Sequence, residues 1–316
     1  MTLSWLYGQL QLRGQVVGLV AVLVLFSAAA PNAYYIAVAN NTLIVATISV
    51  SFCLLLGNAG QISLGHAAFF AISGYISAIL TTWFGWSPAG ALVVGVGVVV
   101  CLALILALPL LRLRGHHLAI ATLGLGLIVQ IILNNEADWT GGPDGMSVQP
   151  FTMAGFNMVG ERLWFAVFAL LLVVNLWLSD NLLRSPWGRA LRSLHGSEIA
   201  AQICGINVDA YKVWIFVYSA AVAGLMGSLA SHYTGSIAPS SASFLVSFEY
   251  IMAVVLGGLR SPLGAILGAM LITTLPAFIA GVGDYEMLIF GLVLLCTMVL
   301  LPRGLLPTLS GLFGRR

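Results

Sequence analysis

The chain has 316 residues, of which 60% are hydrophobic and only 7% are charged, and its formal net charge is +2. Because a water-soluble domain carries about 25% charged residues, this composition excludes an ordinary soluble protein and predicts that lipid is the main solvent. The small net charge gives no indication of a nucleic-acid partner.

Ten apolar segments approach the ~20 residues that a membrane-spanning helix needs, and the first and the eighth are the shortest. They are Val16–Ala30, Ala33–Leu56, Leu64–Phe84, Ala89–Leu111, His116–Leu133, Leu163–Ser179, Tyr211–Thr234, Phe244–Leu256, Leu263–Ala280 and Met287–Leu301. We therefore predict an all-α, polytopic integral membrane helix bundle of about ten transmembrane helices, with eight to ten possible. The whole chain, residues 1–316, is predicted to form a single transmembrane domain.

The first four spans can be separated only by turn signals, because no Asp, Glu, Lys or Arg lies between Arg13 and Arg112. These signals are Pro31-Asn32, Gly57–Gly60 and Trp86–Pro88. If both arginines lie on the inner side, an even number of crossings separates them. Four crossings fit the length, and two crossings with a re-entrant segment are the alternative.

The distribution of basic residues indicates the orientation of this bundle. One side carries nearly all of them: Arg13, Arg112, Arg114, Arg184, Arg189, Arg192, Lys212, Arg260, Arg303, Arg315 and Arg316. The other side carries only Arg162, together with Glu136, Asp138, Asp144, Glu161, Asp284 and Glu286. The positive-inside rule therefore predicts that both termini are cytoplasmic.

Residues 134–161 are predicted to form an outward-facing loop with a turn-rich stretch at Gly141–Gly145. The loop is either a plain connector or a docking or gating surface outside the membrane. A calcium site at Asp144 is not expected, because the alternating oxygen ligands and the closing Glu of an EF-hand are missing.

Residues 180–209 are predicted to form a cytoplasmic loop with a short helix. Ser197 can cap this helix, and Glu198 in its first turn suits the positive end of the helix dipole. The pair Ala200-Ala201 favours a helix with little bulk, and Gly205 ends it. Such a small-faced helix is either an ordinary solvated connector or a surface that enters a cleft in a partner.

Several stretches resemble one family of membrane proteins. The segment from Glu198 to Gly205 resembles the EAA loop of ABC importer permeases. The stretches "LLLGNAGQISLGHAAFFAISGY", "LRGHHLAIATLGLGLIVQIILNN" and "EYIMAVVLGGLRSPLGAILGAML" are similar to the permeases of branched-chain amino acid importers. The resemblance extends over about residues 33 to 307 and points to the M-type (LivM-like) permease rather than the H-type.

The resemblance implies a translocation path for branched-chain or related amino acids in the bacterial cytoplasmic (inner) membrane. It implies as partners a homologous H-type permease, two cytoplasmic ABC ATPases and an external substrate-binding protein. No Walker A motif occurs here, so we expect no cofactor on this chain and expect the ATPases to use ATP and Mg²⁺. The ATPase-coupling residues that it implies are Gly188, Arg189, Arg192, Glu198, Ala200, Ala201 and Gly205.

The segment Gly57–Phe69 is the first candidate for contact with substrate. Its glycines allow a break between helices, and donors and acceptors come from Asn58, Gln61, Ser63 and His66. A helix that restarts near Ser63 at membrane depth would point free N–H groups at a substrate carboxylate. The alternative is a tight inner hairpin capped by Ser63.

Glu249 is the second candidate for contact with substrate. An acidic residue within an apolar span is costly to bury, so its presence there indicates a functional site. It contacts either the substrate ammonium or a structural hydrogen-bond partner. Two patterns of small residues, Gly264–Gly268 and Gly224–Gly227, predict close helix packing, either within the subunit or against a second permease.

Other function classes have less support from the residues. The chain has no HExxH or GxSxG motif for an intramembrane enzyme. The histidines lack the spacing of zinc ligands, and the four cysteines (Cys53, Cys101, Cys204 and Cys296) are interpreted as packing residues. An ion-coupled carrier or channel for small amphipathic solutes remains the alternative, and Glu249 is nearly the only intramembrane charge that could serve it.

Overall fold

A computed structural model describes residues 2–30, 32–110, 116–153, 156–279, 286–301 and 304–308. The predicted orientation rests in part on charged residues outside these ranges, namely Arg112, Arg114, Asp284, Arg303, Arg315 and Arg316. The ends of two predicted spans, Leu111 and Ala280, also lie outside them, as does the C-terminus. The cytoplasmic position of both termini stays a prediction.

The described chain is almost entirely helical. The longer helices are α1 (Thr2–Ala29), α2 (Ala33–Cys53), α3 (His66–Thr82), α4 (Pro88–Leu110), α5 (His116–Asn135), α7 (Glu161–Arg184), α8 (Pro186–Gly196), α10 (Val208–Thr234), α11 (Phe244–Gly257), α12 (Pro262–Ile279) and α13 (Glu286–Leu300). Two short helices are α6 (Ala137–Thr140) and α9 (Glu198–Ile203). A π-helical turn, Leu54–Asn58, extends α2, and 3₁₀ turns occupy Gly142–Asp144 and Pro239–Ala242.

Four very short strands lie in the loops. Strand β1 (Met146–Ser147) pairs antiparallel with β4 (Ser236–Ile237), and β2 (Thr152–Met153) pairs antiparallel with β3 (Phe156–Asn157). We call the end of the bundle that carries residues 136–153 and 156–160 the loop face, and the opposite end, where α7 leads into α8 and α9, the α8–α9 face.

Six helices in the described part of the chain are long and apolar enough to cross a membrane. They are Ala33–Asn58, Pro88–Pro109, His116–Asn135, Glu161–Arg184, Val208–Thr234 and Pro262–Ile279. Three shorter apolar helices are Val16–Ala29, His66–Thr82 and Phe244–Gly257. The helical membrane bundle is therefore confirmed, while the count of ten spans stays a prediction.

Small residues let the helices approach closely at the centre of the bundle. A Cβ added at Gly227 of α10 would lie 2.0 Å from the carbonyl oxygen of Phe70 in α3. A Cβ added at Gly268 of α12 would lie 1.9 Å from the carbonyl oxygen of Ala253 in α11. Both predicted small-residue patterns thus pack within the subunit.

The loop face is tied to the bundle by polar contacts. His232, near the end of α10, lies with Nδ1 2.7 Å from the carbonyl oxygen of Gln149 and with Nε2 2.9 Å from Ser77 Oγ. Together with the β1–β4 pairing, these contacts hold residues 146–149 against α3 and α10. The interpretation of the loop as a docking surface or a plain connector stays a prediction.

Candidate functional site

The helical chain is broken between α2 and α3, and the break extends from the surface of α8, where Gly60 lies beside His195, into the bundle. The π-helical turn ends at Asn58, and residues 59–65 are non-helical before α3 restarts at His66. The backbone N–H of Leu64 donates to Thr122 Oγ1 (2.9 Å), and Thr122 is the seventh residue of α5. The restart of α3 therefore lies about two helical turns in from the α8–α9 face.

A second short helix begins at the same depth. Ser247, in the first turn of α11, accepts a hydrogen bond from the backbone N–H of Ala67 in the first turn of α3 (3.0 Å). At its other end, α11 leads into Leu259, whose backbone packs directly on Gly57. A Cβ added at Gly57 would lie only 1.4 Å from the carbonyl oxygen of Leu259. Neither α3 nor α11 crosses the whole bundle, and their N-terminal ends meet in its interior.

The predicted polar residues of the break are all buried, but they have different partners. Asn58 donates from Nδ2 to the carbonyl oxygen of Cys53 (3.3 Å). Ser63 Oγ lies 2.9 Å from His66 Nδ1, so Ser63 holds the imidazole and does not cap the backbone of α3. Within the described chain, Gln61 is 3% exposed and neither of its amide atoms has a hydrogen-bond partner.

An aromatic cage surrounds His66. The rings of Phe52, Phe69 and Phe216 meet the imidazole edge to face at centroid distances of 4.7, 5.8 and 5.7 Å. His66 Nε2 has no hydrogen-bond partner among the described residues. The cage fixes His66 at the point where α2, α3 and α10 meet.

Glu249 stands apart from this cluster. It lies on α11, two residues beyond Ser247, and is half-buried. In the part of the chain that the structure describes, no hydrogen bond joins it to Gln61, Ser63 or His66. Of the five predicted substrate residues, the structure therefore joins Ser63 and His66 by a hydrogen bond. Among the described residues, no hydrogen bond links Asn58, Gln61 or Glu249 to that pair.

At the α8–α9 face, α8 is fastened to the end of α7. Ser185 caps α8 by accepting from the backbone N–H of Trp187 (3.1 Å). Gly188 is buried so tightly that an added Cβ would lie 2.2 Å from the carbonyl oxygen of Leu183. Arg192 donates from Nη1 to that same carbonyl (3.0 Å), whereas Arg189 is exposed.

The predicted short helix is present as α9. Ser197 caps it by accepting from the backbone N–H of Ala200 (3.3 Å). Ala201 is buried in a cluster with Leu194 of α8 and Val208 of α10, while Ala200 is exposed. Gly205 follows with a positive φ of 79° and open space around it, so its conformation and not its lack of bulk favours glycine there.

Three functional candidates at this face were missed by the sequence reasoning. Ile199 and Ile203 are 62% and 81% exposed, one turn apart on α9. Lys212 of α10 forms an ion pair with Glu198 and its side chain is only 5% exposed, against 26% for Glu198. Lys212 is the sole lysine in the sequence, which was the signal that could have drawn attention to it.

Comparisons with known proteins agree with this architecture. Residues 34–298 match the family model for the branched-chain amino acid transport system / permease component. The high-affinity branched-chain amino acid transport system permease proteins LivM of Salmonella typhimurium and of Escherichia coli are each 32% identical over 294 residues, covering 85% of this chain and 69% of theirs.

More distant relatives share the same region. The fructose import permease protein FrcC of Rhizobium meliloti is 28% identical over 72% of this chain and 66% of its own length. No solved structure shows significant similarity to the chain. The family match runs from the start of α2 almost to the end of α13, and this extent shows that the chain belongs to the permease component family of branched-chain amino acid transport systems.

Proposed function

We propose that this chain works as the M-type subunit of an ABC importer in the bacterial cytoplasmic membrane, paired with a homologous H-type permease. The substrate is a branched-chain or related aliphatic amino acid delivered by an external binding protein. Two ATPase subunits supply the energy and bind ATP and Mg²⁺. The observation that carries the proposal is α9, a capped helix that is fixed to the spans and turns two isoleucines outward.

The similarity to LivM supports an amino acid substrate over a sugar. The LivM relatives are more similar and cover more of the chain than the fructose permease FrcC does. The relatives named LivH, 22% identical over 83% of the chain, support the pairing of two related permeases.

The break between α2 and α3 is the best candidate for the translocation path. Helix N-termini carry partial positive charge, and broken helices in transporters direct such ends at anionic substrate groups. Here the N-termini of α3 and α11 meet, which suits the carboxylate of an amino acid. Gln61 is the strongest candidate for substrate contact, since a buried amide without a partner is costly unless a ligand satisfies it in another state of the cycle.

The surface for the ATPase consists of Ile199 and Ile203, with Ala200 between them. Ala201 faces the bundle, so the side that enters a cleft is apolar and not merely small. This surface is held in place by three of the predicted coupling residues. The contacts of Gly188 and Arg192 with Leu183 fix α8 to α7, and the turn at Gly205 ends α9.

Replacing Ile203 with Glu is expected to weaken ATPase binding at least tenfold while the permease remains folded. Burial of an isoleucine side chain contributes ~1.5–3 kcal/mol, and ~1.4 kcal/mol corresponds to a factor of ten. The measurement is the affinity of the purified permease for its ATPase, with Ile203→Leu as the matched control that keeps the apolar surface. Equal affinity for both variants and the unaltered chain would show that α9 is only a connector.

A further inference from the structure

A groove of about 510 Å³ lies between α1 and α7. Its walls are apolar, with Val20 and Val24 on α1 and Phe165 and Ala169 on α7. Val20 is 39% exposed and Val24 is 61% exposed, so the groove is open along its length to the surroundings of the bundle. Arg162 is the one charged residue among those that line it, and it stands at the end that belongs to the loop face.

The length of the groove matches one leaflet of a bilayer. On α7 it extends from Arg162 to Val173, which is roughly 16 Å at a rise of ~1.5 Å per residue. The hydrocarbon core of a bilayer is ~30 Å thick, so the groove begins at the loop face and ends near the membrane centre. A spanning helix of another subunit would need a surface about twice as long, whereas a single acyl chain fits this depth.

Arg162 has its side chain available at the mouth of the groove. It is exposed, and among the described residues it makes no hydrogen bond or ion pair. Its neighbour Glu161 is engaged on the other side of α7, where its Oε2 accepts from Tyr233 (2.6 Å) and from Asn40 (2.9 Å). Because Arg162 lies in the first turn of α7 at the loop face, we expect its guanidinium at headgroup level, where its planar donors suit a phosphate.

From this arrangement we propose that the α1–α7 groove binds one acyl chain of a phospholipid from the leaflet at the loop face, while Arg162 binds the phosphodiester. The groove takes up the chain and Arg162 selects for phosphate, not for a particular headgroup. Since α1 packs mainly against α7 in the described chain, the bound lipid completes the contact that attaches α1 to the bundle.

Photo-crosslinking with lipid probes tests this site in the full-length chain reconstituted in phosphatidylcholine nanodiscs. The probes are a phosphatidylglycerol and a phosphatidylcholine, each with a diazirine halfway along one acyl chain, and a diacylglycerol with the same chain. Both phospholipids are expected to label the residues that line the groove, which lie within Val20–Ala28 on α1 and within Arg162–Val173 on α7. Arg162→Gln should lower this labelling about tenfold, equivalent to ~1.4 kcal/mol of affinity, and should leave labelling by diacylglycerol unchanged.

The volume of the groove is tested separately with Ala169→Phe, which fills it and should abolish labelling by all three probes at these helices. Cys101→Phe adds a similar bulk at an exposed position of α4 and serves as the matched control, with labelling expected to stay as in the unaltered chain. Labelling that is spread evenly over all exposed helices, or that neither Arg162→Gln nor Ala169→Phe reduces, would overturn the proposal. When the same probes are applied to the chain assembled with its H-type partner, crosslinks from this groove to that permease in place of lipid would also overturn it.

Discussion

Replacing Glu198 with Gln is expected to loosen α9 from the bundle and to lower transport per ATP hydrolysed. Removing one partner of a buried ion pair costs ~3–5 kcal/mol because the other charge stays buried without compensation. Since about a quarter of the Glu198 side chain is exposed, we expect a smaller cost of ~1.4–2.8 kcal/mol, which means roughly 10- to 100-fold faster amide exchange in α9. Hydrogen–deuterium exchange of residues 198–203 measures this directly.

The double variant Glu198→Gln, Lys212→Met separates the ion pair from a direct contact with the ATPase. Replacing both charges leaves no unpaired cation in the bundle, and such replacements are often nearly neutral. We therefore expect the double variant to regain the slow exchange of α9 and most of the transport. A double variant as defective as Glu198→Gln alone would show that Glu198 acts on another group and not through Lys212.

Replacing Gly268 with Val is expected to cause a large loss of stability, ~3 kcal/mol or more, at the upper end of overpacking costs. The added Cβ would lie 1.9 Å from the carbonyl oxygen of Ala253 and 2.8 Å from the backbone nitrogen of Gly257. Backbone atoms cannot rotate away as side chains do, so α11 and α12 must separate. Thermal unfolding of the purified chain in detergent measures the effect, and Gly227→Val should behave similarly at the contact of α10 with α3.

Gly97→Val in α4 is the control for these substitutions. Gly97 also lies in a helix, but it is exposed, and no atom of another described helix lies within 4 Å of the position that a Cβ on this residue would take. The same change therefore adds bulk only on the outer surface of the bundle. We expect an unfolding temperature close to that of the unaltered chain. A loss of stability at Gly97 equal to that at Gly268 would mean that helix propensity and not close packing decides the outcome.

The sequence was sufficient to predict the apolar helices of the bundle and the position of α9, but not α8. Apolar runs of about 20 residues are a strong signal, and Ser197 and Gly205 mark the ends of α9 by local backbone chemistry. The partial crossing of α3 was less accessible, because its predicted run, Leu64–Phe84, is as long as that of a full span. The run of α11, Phe244–Leu256, was among the shortest, but the length of a run does not give the depth of either helix. Their depth is set by contacts such as that of Ser247 with Ala67, which join residues far apart in the chain.

The sequence identified several residues of the α8–α9 face but did not predict their contacts or their orientation. The sequence named Glu198 and could not show that it pairs with Lys212, since a separation of 14 residues across a turn fixes no contact. In the same way, it presented Ala200 and Ala201 as one small surface. Only the packing of α9 on Leu194 and Val208 shows that Ala201 faces inward and that Ile199 and Ile203 face outward.

The most direct test of the account is uptake of radiolabelled leucine by proteoliposomes that contain this chain, its H-type partner permease and the two ATPases. The account predicts that leucine accumulates only when the external binding protein and ATP on the α8–α9 side are both present. Omission of this chain should abolish uptake. Accumulation driven by an ion gradient without the ATPases, or undiminished uptake without this chain, would contradict it.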